Sequence, residues 1–273
     1  MTIRLIAVDM DGTFLNDKKS YDVPRFNQQF QQLKELGIKF VVASGNQYYQ
    51  LVSFFPELRP QLSFVAENGA LVFDGMEQLW HAELAAADYQ HILDVLDNFP
   101  DLTYVACGLK SAYTQRGASR QFMDLMAKHY HRLEVRDSLR DIDDVMFKFS
   151  LNLPDNEIPE LIKRLHQELN GSVRPVTSGF GFVDLILPGA HKASGLQRLL
   201  DRWGIAAEDC VALGDSANDI EMLKLVGYSF AMENAAPEVV ASARYRAPSN
   251  NASGVLDVID WVLKGQEPFD QQR

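Results

Sequence analysis

The sequence predicts an α/β protein: a doubly wound parallel sheet with a smaller α+β module inserted into the chain. Three observations carry this reading. Short branched apolar runs recur toward both ends, alternating with segments of helical period. The middle of the chain breaks that rhythm. A length of 273 residues is also long for one core and comfortable for two.

Residues 3–8 are apolar and branched, as in a strand buried on both faces. After a polar loop, Phe26, Phe30, Leu33 and Leu36 recur at helical spacing, with Gly37 as the stop. Apolar runs at 40–43 and 62–66 supply two further strands, and this order calls for parallel pairing with crossover helices. Near the other end, Ser194 is the expected N-cap of a helix through Leu196, Leu199, Leu200 and Trp203, stopped by Gly204. Residues 210–213 read as a buried strand, Ile220, Leu223 and Val226 as a short helix, and 228–232 as another strand. Pro237 opens a helix, Ser253 is expected to cap the last one, and Gly265 to end it. The tail beyond Gly265 is expected to fray. Between them, helical patterns alternate with strands expected to be half exposed, at 103–106, 145–151, 173–176 and 182–187. The expected division is a core of residues 1–83 and 188–273 around an insert of residues 84–187.

A formal net charge of −11 argues against nucleic acid and anionic membrane as partners. No run approaches the ~20 apolar residues that span a bilayer. The N-terminus lacks the features of a signal peptide, and two cysteines imply no disulfide framework. The expectation is a cytoplasmic protein, monomeric or weakly self-associating, whose partner is a small molecule.

Two clusters of carboxylates carry the chemistry. After the first strand comes Asp9-Met10-Asp11-Gly12-Thr13, and after the strand at 210–213 comes Gly214-Asp215-Ser216-Ala217-Asn218-Asp219. Asp-Gly alone reads as a turn, and a single aspartate at a helix start as a cap. Two such clusters at strand carboxyl ends, where α/β sheets bind ligands, exceed both needs. Four carboxylates from two strand ends repel each other unless a cation lies between them, and oxygen-only ligands select Mg²⁺ over zinc. Ser44-Gly45-Asn46 follows the second strand, where a hydroxyl and an N–H group suit a phosphate oxygen, or form an ordinary turn. Lys192 lies just before the helix expected at Ser194. It is either a solvated lysine or the positive charge that an acidic protein needs to bind an anion.

Together Asp9-Met10-Asp11-Gly12-Thr13, Ser44, Lys192 and the Gly214 to Asp219 run resemble the haloacid dehalogenase superfamily over essentially the whole chain. The insert and Glu67-Asn68-Gly69-Ala70 resemble its Cof-type branch, most of all the sugar phosphatases of enteric bacteria. The resemblance implies a Rossmann-like core with a C2-type α/β cap, and a phosphatase acting on sugar monophosphates. It implies Asp9 as nucleophile and Asp11 as proton donor and acceptor. Mg²⁺ would be held by Asp9, the Asp11 carbonyl and Asp215. Met10, Ser44, Gly45, Lys192 and Asn218 would bind phosphate, with Asp219 orienting Lys192 or a metal-bound water. Many Cof-type members carry arginine where this chain has Asn46, which suggests a neutral contact to sugar hydroxyls. Lys148 and Phe180, within or near the insert's strands, are candidate cap contacts, with a strand lysine and a hairpin residue as the alternative. A phosphotransferase or mutase sharing the same intermediate, and a non-catalytic phosphate sensor, stay open.

Overall fold

The computed structural model describes residues 2–179 and 181–270. In chain order the strands are β1 (Leu5–Val8), β2 (Lys39–Ala43), β3 (Ser63–Ala66), β4 (Leu71–Asp74), β5 (Glu77–His81), β6 (Thr103–Gly108), β7 (Ala112–Gln115), β8 (Leu133–Arg136), β9 (Met146–Asn152), β10 (Arg174–Gly179), β11 (Phe182–Ile186), β12 (Cys210–Gly214), β13 (Tyr228–Met232) and β14 (Tyr245–Ala247). The α-helices are α1 (Val23–Glu35), α2 (Tyr48–Ser53), α3 (Ala86–Leu96), α4 (Arg120–His129), α5 (Ile158–Glu168), α6 (Lys192–Trp203), α7 (Ile220–Leu225), α8 (Pro237–Ser242) and α9 (Gly254–Lys264).

Successive side chains of a strand point to opposite faces, so an all-apolar strand needs cover on both. β1 shows the result. Ile6 and Val8 pack with Phe26 and Phe30 of α1 and Val258 of α9, while Leu5 and Ala7 pack with Leu196 and Leu199 of α6 and Met222 of α7. The sheet runs β14-β13-β12-β1-β2-β3-β4-β5, parallel except for the hairpin strands β4 and β5. β1 therefore lies between β12 and β2, with Leu5 opposite both Cys210 and Lys39.

The second sheet runs β10-β11-β9-β6-β7-β8. Its pairings are antiparallel apart from β7 with β8. Its strands were expected to be half exposed, but β9 and β11 are buried almost throughout. Phe149, Leu151, Val183 and Leu185 pack against α3 and α5. The opposite face, which carries Lys148, Ser150, Phe182 and Asp184, is covered by the first domain instead of by water.

Two further expectations are corrected. His191, not Ser194, is the N-cap of α6: its Nδ1 accepts from the Ser194 amide at 3.2 Å, and Ser194 Oγ accepts from the His191 amide at 3.0 Å. Imidazole fills the role usually given to a hydroxyl, and Lys192 becomes the first residue of the helix. The segment after Gly265 is not frayed as far as Phe269, whose ring is 1% exposed and lies 5.0 Å from Tyr228 and 6.0 Å from Phe230. A large ring that removes this much apolar surface from water holds the chain end down.

Candidate active site

Asp9, Ser44 and Asp215 each follow directly on one of the adjacent parallel strands β1, β2 and β12. Parallel strands deliver their carboxyl ends to the same edge, so three loops distant in sequence meet there.

At the centre, Lys192 Nζ donates to Asp9 Oδ1 and Asp219 Oδ1, each at 2.6 Å, and all three groups are buried. Asp219 Oδ2 accepts from the amides of Asp215 and Ser216 at 3.0 Å. Asp215 accepts from Thr13 Oγ1 at 2.9 Å and from Ser216 Oγ at 3.1 Å. Gly12 has φ +76°, and a Cβ there would lie 2.5 Å from Asp215 Oδ2. Only glycine lets the loop pass this carboxylate.

The carboxylates of Asp9, Asp215 and Asp219 come within 4.8 Å of one another. Burial pushes Asp9 well above the usual carboxylate range; Lys192 opposes this, and Asp219 and Asp215 add to it. Asp215 is pushed up to about 6, by burial first and then by Asp219. Burial alone would lower Lys192, but Asp219 and Asp9 outweigh it and keep the ammonium charged. One lysine among three buried carboxylates leaves negative charge in excess, and every remaining donor is an oxygen. These residues fit a hard divalent cation.

Removing the one ammonium should be costly. Lys192→Met is expected to destabilise the fold by roughly 3–5 kcal/mol, since it strands two buried carboxylates. Urea unfolding would show a lower midpoint; an unchanged midpoint would mean that the carboxylates are protonated in the folded protein.

Asp11 faces away from this trio. Its Oδ1 accepts from Lys19 Nζ and its Oδ2 from Asn46 Nδ2, both at 2.5 Å. Burial favours the neutral acid, but Lys19 and these two hydrogen bonds outweigh it and hold Asp11 below its ordinary value. Asn46 thus contacts a catalytic candidate directly, whereas sequence reasoning gave it to the substrate. The amides of Met10 and Gly45 donate to no acceptor among the described residues.

A small cavity opens over Asp9 and Asp11. Its floor is Ser44, Gly45, Asn46, Ser216 and Asn218, and its roof comes from the second sheet and α4: His129, Tyr130, Ser150, Phe182 and Asp184. Lys148 does not line it. This lysine is 1% exposed, donates to the Gly45 carbonyl at 2.8 Å and lies 2.6 Å from Glu67 Oε2. Burial opposes its charge, but Asp184 and Glu67 outweigh this and hold it protonated. It joins the domains and is not placed as a substrate contact. Phe180 lies outside the described residues.

A second link crosses alongside. Asn218 Nδ2 donates to Asn68 Oδ1 at 2.9 Å, and Asn68 Nδ2 donates to Asp184 Oδ2 at 2.6 Å. Glu67 and Asn68 hold positive φ values of 53° and 55°, a strain that persists only where the surroundings fix it. A third link is the Gln47 amide, which exchanges hydrogen bonds with the backbone of Arg132 in both directions, each at 2.8 Å.

Sequence reasoning missed Thr13 as a partner of Asp215, Lys19 as the partner of Asp11, and His129, Ser150 and Asp184 in the roof. A signal existed for the last two. Lys148 and Ser150 alternate with Phe147, Phe149 and Leu151, and Asp184 interrupts the apolar run of β11, so the polar positions share a face. Nothing in the loop around Lys19 singles it out.

A family model described as haloacid dehalogenase-like hydrolase matches residues 6–259. The chain is 50% identical to the 5-amino-6-(5-phospho-D-ribitylamino)uracil phosphatase YbjI of Escherichia coli (strain K12), over 99% of this chain and 100% of that protein. It is 28% identical to phosphoglycolate phosphatase 1 of Saccharolobus solfataricus, over 97% of each chain. The solved structure of SMU.1108c from Streptococcus mutans UA159 superposes with a TM-score of 0.93 at 39% identity, covering 96% of this chain and 100% of that one.

Proposed function

Since the chain belongs to the haloacid dehalogenase-like hydrolase family, we propose that it is a magnesium-dependent phosphatase of small phosphorylated metabolites, most of all sugar monophosphates. The observation that carries this is one carboxylate, Asp9, held by a buried lysine at 2.6 Å on the floor of a cavity whose wall also presents Asp11. Relatives named as phosphatases of a ribityl compound and of phosphoglycolate support the reaction class.

Lys192 engages Asp9 Oδ1 and leaves Oδ2 to attack phosphorus. The new Asp9–phosphorus bond forms as the ester P–O bond breaks, and Asp11 gives its proton to the departing alkoxide. Asp11 rests as a carboxylate beside Lys19 and Asn46. An arriving phosphoryl group brings about two negative charges, and these raise its proton affinity so that it can serve as the acid. In the second step Asp11 takes a proton from water, the water oxygen attacks phosphorus, and Asp9 leaves with its electron pair. Asp9, Asp215 and the Asp11 carbonyl would hold Mg²⁺, which when bound offsets repulsion between carboxylate and phosphate. Ser44, Lys192, Asn218 and the Met10 and Gly45 amides would bind the phosphoryl oxygens, where charge must be stabilised. Asp219 orients Lys192.

Incubation with hexose and pentose monophosphates in Mg²⁺ is expected to release inorganic phosphate in step with free sugar. A phosphorylated isomer without free phosphate would make the protein a mutase instead. No turnover of any ester would leave a phosphate-binding protein.

A further inference from the structure

The loop after β2 has its three successive carbonyl groups held by three donors. The Ser44 carbonyl accepts from the Asn68 amide at 3.0 Å, and the Asn46 carbonyl from the Glu67 amide at 3.1 Å. The Gly45 carbonyl between them accepts from Lys148 Nζ at 2.8 Å, a side chain of β9 in the second sheet. Glu67 serves twice, since its carboxylate lies 2.6 Å from the same Lys148 Nζ. The second sheet is pressed onto this loop: a Cβ on Gly45 would lie 3.2 Å from Asp184 Oδ2 and 3.0 Å from Asn68 Nδ2.

The C=O of Gly45 and the N–H of Asn46 belong to one peptide plane and point opposite ways. That N–H donates to Ser44 Oγ at 3.2 Å. Ser44 lines the cavity beside Asp9, and its hydroxyl donates to no acceptor among the described residues. With one lone pair taken by the amide, the hydroxyl is set to donate. The bonds run in one sense, from ammonium to carbonyl and from amide to hydroxyl, so each polarises the next. A buried ion pair adds little stability over an apolar pair of similar volume. Joining the two sheets therefore does not by itself account for a charge at this carbonyl.

We infer that Lys148 is a positioning residue for the phosphate site, fixing the Gly45–Asn46 peptide so that Ser44 presents its hydroxyl hydrogen to a phosphoryl oxygen. The inference rests on the phosphatase reading and deepens it. Lys148 does not touch the substrate. It acts on the phosphoryl group through one peptide and one hydroxyl, and Glu67 holds its ammonium in place. The second sheet thereby completes an anion site whose direct contacts, Met10, Ser44, Gly45, Lys192 and Asn218, lie outside that sheet.

The test is a double-mutant cycle on the full-length protein, reading kcat/KM for p-nitrophenyl phosphate in Mg²⁺. Lys148→Met is combined with Glu67→Gln, so that Glu67 is not left as an unpaired buried charge. This pair should lower kcat/KM by about tenfold or more, as small misplacements of a site group do. In a Ser44→Ala background the same pair should cost less than about threefold further, because its route to the phosphoryl group is already gone. Lys148→Gln keeps a neutral donor and serves should the pair fail to fold; its smaller loss should vanish in the same background. A merely structural lysine, or one that touched the leaving group, would act independently of Ser44. Losses that multiply in full would therefore overturn the inference, and so would folded variants with wild-type kcat/KM. No turnover by the wild type would instead overturn the phosphatase reading.

Discussion

Asp9→Asn is expected to lower kcat by at least ~10⁴-fold while the protein stays folded, because in the proposed mechanism Asp9 is the group that forms the covalent intermediate, and members of one catalytic set are not additive. The stability half of this expectation follows from the charge balance. Burial and two neighbouring carboxylates raise the proton affinity of Asp9 on folding, against Lys192. A carboxyl group raised in this way costs folding free energy at any pH above its unfolded value, near 4. Asparagine keeps the shape and drops the charge, so the urea midpoint should hold steady or rise. Phosphate release from an aryl phosphate and an unfolding curve on the same sample check both halves. Residual turnover above a few per cent of wild type would remove Asp9 from the role of nucleophile.

The second large effect is metal removal. Chelation with EDTA is expected to abolish turnover, and excess Mg²⁺ to restore it. Mg²⁺ should also raise the melting temperature of the wild type, since a ligand bound only by the folded state stabilises it by about 2.7 kcal/mol at a hundred times its Kd. Asp215→Asn should lose most of that rise together with activity. Turnover indifferent to EDTA, or an undiminished Mg²⁺ response in Asp215→Asn, would mean that the three carboxylates within 4.8 Å serve another purpose.

Much of this was legible in the sequence because the relevant signals are local. Doubly apolar runs mark strands that need helices on both faces, and β1, β2, β3, β12 and β13 lie where those runs are. Asp9, Ser44 and Asp215 come at the ends of such runs, so their convergence follows once the strands are parallel neighbours. What stayed hidden depends on pairings between distant segments. Lys148 looks like a strand lysine until β9 is laid over Glu67 and Gly45. Asn46 looks like a substrate contact until the loop folds back on Asp11. The burial of β9 and β11 was misjudged because alternation reveals a polar face but not whether water or protein covers it. The capping of α6 by His191 escaped notice because imidazole is a rare cap.

The position of β1 between β2 and β12 also bears on synthesis. Thr13 and Asp215, whose side chains meet, are 202 residues apart in the chain. At ribosomal speeds of 5–20 residues per second, the first strand waits roughly 10–40 s for its second neighbour to emerge. Through that interval its far edge has open peptide groups and apolar side chains, exposed to other nascent chains. The newborn polypeptide is therefore most vulnerable to aggregation, and most in need of a chaperone, before its last quarter has been translated.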